Sequence, residues 1–172
     1  AIAAAGDLPV VVGTSHAGTR ATCALSRLAE QLGAAGVMVA PAREPVPNPD
    51  KIYEYFQRVA EAISIPIVAQ DHPASTQVHM ALPLLFRLVR EIPQIACIKQ
   101  EAVPTPPKTQ TLRAELKEGN ATILTGLGAL YGQYDLESGA DGFMTGFAFP
   151  EVLQALIKAR DAGQQEQVRN IY

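Results

Sequence analysis

Lys99 follows directly on Ile95, Ala96, Cys97 and Ile98, an apolar run with the character of a buried β-strand. A primary amine is disfavoured there unless it is paired, neutralised or used. Used, it is a nucleophile. A neutral lysine amine attacks a carbonyl carbon to form an imine, and a low-dielectric setting favours the neutral form. The two-residue period of a strand puts Cys97, Lys99 and Glu101 on one face. Read alone, the same lysine also fits a residue that leaves the sheet at its end and snorkels to water.

Other residue types widen the choice. His72 stands beside Asp71 at the end of another apolar run, a pairing suited to proton transfer and equally to a plain turn before Pro73. His16 follows the first apolar run and His79 falls where a helix start is expected. The three histidines are too scattered to propose a metal site. "TGLGALYG" supplies Gly126, Gly128 and Gly132, a loose dinucleotide fingerprint. That fingerprint belongs in a first strand–helix turn, with an acid closing the next strand; here the next run ends "MTGFAF". Nucleotide binding is the lesser reading, and no cofactor is expected.

These residues need elements to position them. Six apolar runs recur, starting at Leu8, Ala35, Ile65, Ile95, Ala121 and Gly142, with starts 21 to 30 residues apart. Between them lie helical stripes: Leu25, Leu28, Ala29 and Leu32; Ile52, Tyr55, Phe56 and Val59; Leu84, Leu85, Leu88 and Val89. Asn48 before Pro49 and Thr105 before Pro106 read as N-caps, and "GADG" (139–142) as a helix end turning into a strand. The pattern is a βα repeat within one domain, 1–172. Counting alone favours an open doubly wound sheet, since a (β/α)8 barrel needs eight strands and about 250 residues. Yet the chain opens without Met on a helix-like "AIAAAG" and stops inside a helix-like "EQVRNIY". Both ends read as cut, and a longer parent chain is expected.

Composition narrows the class. The chain has 172 residues, 48% hydrophobic and 18% charged, with net charge −3. A pI of about 5.6 gives no basic field for nucleic acid or an anionic membrane. No apolar run approaches the ~20 residues of a membrane span. Cys23 and Cys97 have no CxxC or metal-like spacing, so free thiols in a reduced cytoplasm are expected.

The order of motifs, "PVVVGTS", "GVMVAPA", "QDHPAST", "IACIKQE", "ILTGLGA" and "GADGFMTGFAFPE", resembles the dihydrodipicolinate synthase/N-acetylneuraminate lyase family over nearly the whole chain. The resemblance implies an α/β (β/α)8 TIM barrel, present here as its third to eighth βα units. It implies a lyase forming a Schiff base with pyruvate or another 2-oxo acid, without metal or cofactor. The reaction would be aldol cleavage or condensation, or dehydration of a 2-oxo-3-deoxy sugar acid. A cytoplasmic homo-oligomer, tetramer or dimer, goes with it. Lys99 matches the family's imine-forming lysine. Gln70 stands where the family carries its acid/base tyrosine, and glutamine cannot relay a proton at neutral pH. Ser75 replaces the carboxylate-binding arginine, and Ala42 and Arg43 replace a tyrosine pair. These departures argue against synthase activity in the strict sense and leave a catalytically impaired member as the alternative. His72 would then supply protons, with Gly126, Thr145 and Gly146 at the substrate.

Overall fold

The computed structural model describes residues 2–43 and 46–172. Its strands are Val11–Gly13 (β1), Gly36–Val39 (β2), Ile67–Asp71 (β3), Ile95–Gln100 (β4), Thr122–Thr125 (β5) and Gly142–Phe143 (β6). They form one sheet in the order β1-β2-β3-β4-β5-β6, every neighbouring pair parallel. A doubly wound sheet reverses direction at a switch point; a strictly sequential order steps one way round and curls. The chain is a curled half-barrel.

The helices are Thr19–Gln31 (α1), Pro49–Ala60 (α2), Pro73–Thr76 (α3), Leu82–Glu91 (α4), Thr105–Asn120 (α5), Gly132–Glu137 (α6), Pro150–Asp161 (α7) and Gln165–Ile171 (α8). Local chemistry sets their ends. Asn48 Oδ1 accepts from the Asp50 and Lys51 N–H groups at 2.9 and 3.2 Å, with Pro49 at the first helical position of α2. Beyond α6, Gly139 has φ 97°, and a Cβ there would stand 2.7 Å from Arg113 Cγ, so only glycine turns the chain into β6.

Strand alternation, shifted by one residue in β4 after Ile95, sorts the two faces. Val37, Val39, Ile67, Ala69, Ile95, Ile98 and Ile123 join the main core with Phe56, Leu85, Leu88 and Leu112 from the helices. Burying each such large side chain contributes about 1.5–3 kcal/mol. The opposite alternates, Val68, Gln70, Cys97, Lys99 and Leu124, line the concave face. Gln70, Lys99 and Leu124 are direct neighbours across β3, β4 and β5.

Several expectations need correction. Of the stripe on α1, Ala29 is buried while Leu25, Leu28 and Leu32 are 41%, 50% and 62% exposed at the edge of this half-barrel, and α1 also buries Thr22, Cys23 and Ser26. Those hydroxyls are satisfied: Thr14 Oγ1 meets Ser26 Oγ, and Thr22 Oγ1 meets Tyr55 Oη, each at 2.9 Å. Thr105 is the first helical residue of α5, after a Pro104 cap with no side-chain bond. His79 sits in the loop before α4, whose cap is Ala81. The opening stretch is a short 3-10 turn, Ile2–Ala4, with Ala1 outside the described residues.

Candidate active site

Lys99 is the penultimate residue of β4, and its exposure of 9% answers the question of snorkelling: the amine stays inside. Its partner is Glu101, 5% exposed, whose Oε2 lies 3.4 Å from Nζ. Lys99 is held on the concave face because the helix-side alternates Ile98 and Gln100 are fully buried in the opposite direction. Glu101 stays beside it because two groups grip its carboxylate and a third position leaves it room. Gln70 Nε2 donates to Oε2 at 2.7 Å and the Leu127 N–H to Oε1 at 3.2 Å. The third is an absence: a Cβ on Gly126 would stand 1.9 Å from Oε1. Glycine at the end of β5 is there to seat a carboxylate.

The arrangement brings together three positions singled out in the sequence, Lys99, Gln70 and Gly126, with Glu101 as their common contact. Glu101 itself was visible only as a face-mate of Lys99; a contact with a glycine 25 residues on leaves no local signal. The remaining candidates are not among the groups that contact Glu101. His72 precedes α3, where its Nδ1 and backbone oxygen take up the Ser75 hydroxyl at 3.0 and 3.1 Å. His72 and Ser75 thus hold each other in an exposed turn. Thr145 lies two residues beyond β6 rather than ending it; its Oγ1 is buried without a hydrogen-bond partner. Gly146 follows with open space where a Cβ would be. His16 Nδ1 accepts the Gly18 N–H at 3.0 Å, an ordinary turn contact.

Electrostatics separate the reactive groups from the inert ones. Desolvation pushes the Cys97 thiol up to about 12, so this concave-face neighbour of Lys99 stays a thiol near neutral pH. Behind the site, Asp71 points to the helix side, fully buried, and Lys108 Nζ of α5 reaches its Oδ2 at 2.5 Å and the Met80 oxygen at 2.7 Å. Burial raises the Asp71 carboxyl above its ordinary value despite the lysine. The pair ties α5 and the loop before α4 to the strand that carries Gln70. Among the described residues no group of three or more His, Cys, Asp or Glu could hold a metal ion. None of their helices is long and apolar enough to cross a membrane.

Comparison with known proteins places this geometry. The model of the dihydrodipicolinate synthetase family matches residues 1–172. An L-2-keto-3-deoxyarabonate dehydratase from Azospirillum brasilense is 40% identical over 169 residues, 94% of this chain and 53% of the relative. A 4-hydroxy-tetrahydrodipicolinate synthase from Chlorobium limicola is 29% identical over 160 residues, 90% of this chain and 53% of its own. The crystal structure of dihydrodipicolinate synthase from Rhodopseudomonas palustris superposes with a TM-score of 0.89 at 36% identity, covering 99% of this chain and 58% of that one. The chain spans about half the length of the curated relatives it matches. Sequential parallel strands, the lysine near the end of β4 and the match along all 172 residues lead to one conclusion: this chain belongs to the dihydrodipicolinate synthetase family.

Proposed function

We propose that the chain carries the imine-forming site of a lyase that dehydrates a 2-oxo-3-deoxy sugar acid. One observation carries the reading. The Lys99 amine is buried on the concave face, 3.4 Å from a carboxylate able to accept its proton. The amine attacks the C2 carbonyl of the 2-oxo acid, and loss of water gives an iminium on Nζ. That cation draws electrons from C3, so a C3 proton becomes removable and a hydroxyl at C4 becomes a leaving group. Expulsion of that hydroxyl as water, then hydrolysis of the imine, frees Lys99 and the dehydrated acid.

Dehydration is favoured over aldol cleavage by the 40% identity to a protein named as a keto-deoxyarabonate dehydratase. The loss of the family's tyrosine at Gln70 agrees with it. Thr145, whose buried hydroxyl is unpartnered, and the Gly146 N–H take the substrate carboxylate. The test is to incubate the protein with a 2-oxo-3-deoxy pentonic acid and follow products by mass. Loss of one water per substrate supports the reading, and release of pyruvate would assign aldol cleavage instead. An imine that forms on Lys99 but leads to neither product would mark a member that kept its lysine and lost its chemistry.

A further inference from the structure

The geometry points to Glu101 as the catalytic base and acid of this site, taking the proton from C3 and returning it to the departing C4 hydroxyl. The inference rests on the imine-forming role of Lys99. Gln70 has no proton to exchange, and His72 is engaged with Ser75 in its own turn. The Cys97 thiol, pushed up to about 12, is the wrong group near neutral pH. Of the groups this chain sets around Lys99, Glu101 is the carboxylate in contact with it.

The surroundings are built for it. Gln70 fixes one oxygen at 2.7 Å. The other meets the N–H of Leu127, which opens a run of three left-handed residues, Leu127, Gly128 and Ala129, with φ 52°, 67° and 62°. Side-chain-bearing residues rarely hold that backbone, and such strain persists where the surroundings impose it. Here it aims an N–H at the carboxylate, while Gly126 clears the space the carboxylate fills. Gln70 and Leu127 are positioning residues, acting through Glu101.

The step balances. The Glu101 carboxylate removes a C3 proton, the C3–H electrons form the enamine, and Glu101 becomes the acid. The enamine then expels the C4 oxygen, which takes that proton and leaves as water, and Glu101 is a carboxylate again. One group on one side of the substrate does both, so the elimination is syn.

The test uses pyruvate, whose methyl protons exchange with deuterated water only if a base acts on the imine. Exchange is followed by NMR and expressed per imine trapped with borohydride. Glu101→Gln should lower this rate by roughly 100-fold or more. Formate should restore exchange in Glu101→Ala, a rescue that a merely structural role does not give. Gln70→Leu should slow exchange while leaving the trapped imine unchanged. In substrate deuterated stereospecifically at C3, one of the two C3 positions should lose its deuterium and the other keep it, as a single base on one face requires. Wild-type exchange per trapped imine in Glu101→Gln, or loss of deuterium from both C3 positions, would overturn the assignment. Absence of any trapped imine in the unmodified protein would instead overturn the role of Lys99.

Discussion

Gly126→Ala probes the seat of Glu101 without touching a reacting group. The new Cβ would stand 1.9 Å from Oε1, 2.5 Å from Cδ and 2.8 Å from Cγ of Glu101. Non-bonded atoms settle near ~3.5 Å, so the carboxylate must retreat by about 1.5 Å. That distance breaks the bonds from Gln70 and Leu127, now 2.7 and 3.2 Å long. A catalytic group displaced by about 1 Å loses on the order of 100-fold in rate. Two charge-assisted hydrogen bonds at about 1.5–3 kcal/mol each set the upper scale of the stability loss. Allowing for relaxation, about 3 kcal/mol is expected, a Tm drop of roughly 6–12 °C for a chain of this length. Pyruvate methyl exchange and a thermal melt read the two effects. In a Glu101→Ala background the added methyl meets no carboxylate, so Gly126→Ala should cost far less there. Equal cost in both backgrounds, or wild-type exchange in the single variant, would refute the reasoning.

Other consequences follow from groups outside the site. Lys108→Met strands the fully buried Asp71 and the Met80 oxygen. Losing one partner of a buried pair costs about 3–5 kcal/mol, which a urea titration would reveal; pairing the change with Asp71→Leu should recover most of it. Asp135, 1% exposed, is pushed above its ordinary 3.8 by burial, against the hydrogen bond from Thr125. The folded chain therefore keeps this proton to higher pH than the unfolded chain. Asp135 contributes most below pH 3.8, and its contribution falls as pH rises through the folded value. Asp135→Asn should remove that part of the acid-range slope in urea midpoints, and an unchanged slope would contradict the assignment.

The sequence carried the strands and the buried lysine, because short apolar runs ending in Gly, Pro or polar residues are local signals; the sequential strand order came only with the family resemblance, since counting alone favoured a doubly wound sheet. It misaimed α1. Leu25, Leu28 and Leu32 form the more apolar stripe, but the helix follows β1, at an edge of the sheet, and buries the face whose hydroxyls find partners on Thr14 and Tyr55. The carboxylate beside Lys99 left as little trace in the sequence. Glu101 reads as a polar residue ending a strand, and Gly126 as part of a glycine loop; only the three-dimensional contact explains both. Nor does the local pattern around His72 and Ser75 tell that the two bond each other within a turn.

The central claim is that Lys99 forms an imine with a 2-oxo acid. Incubation with pyruvate, reduction with borohydride and peptide mapping by mass address it directly. The account predicts a stable adduct on Lys99 and on neither Lys51 nor Lys108. It also predicts no adduct in Lys99→Ala or in Lys99→Arg, whose guanidinium stays protonated. Unmodified protein that gives no adduct across several 2-oxo acids, or an adduct that survives the loss of Lys99, would contradict it.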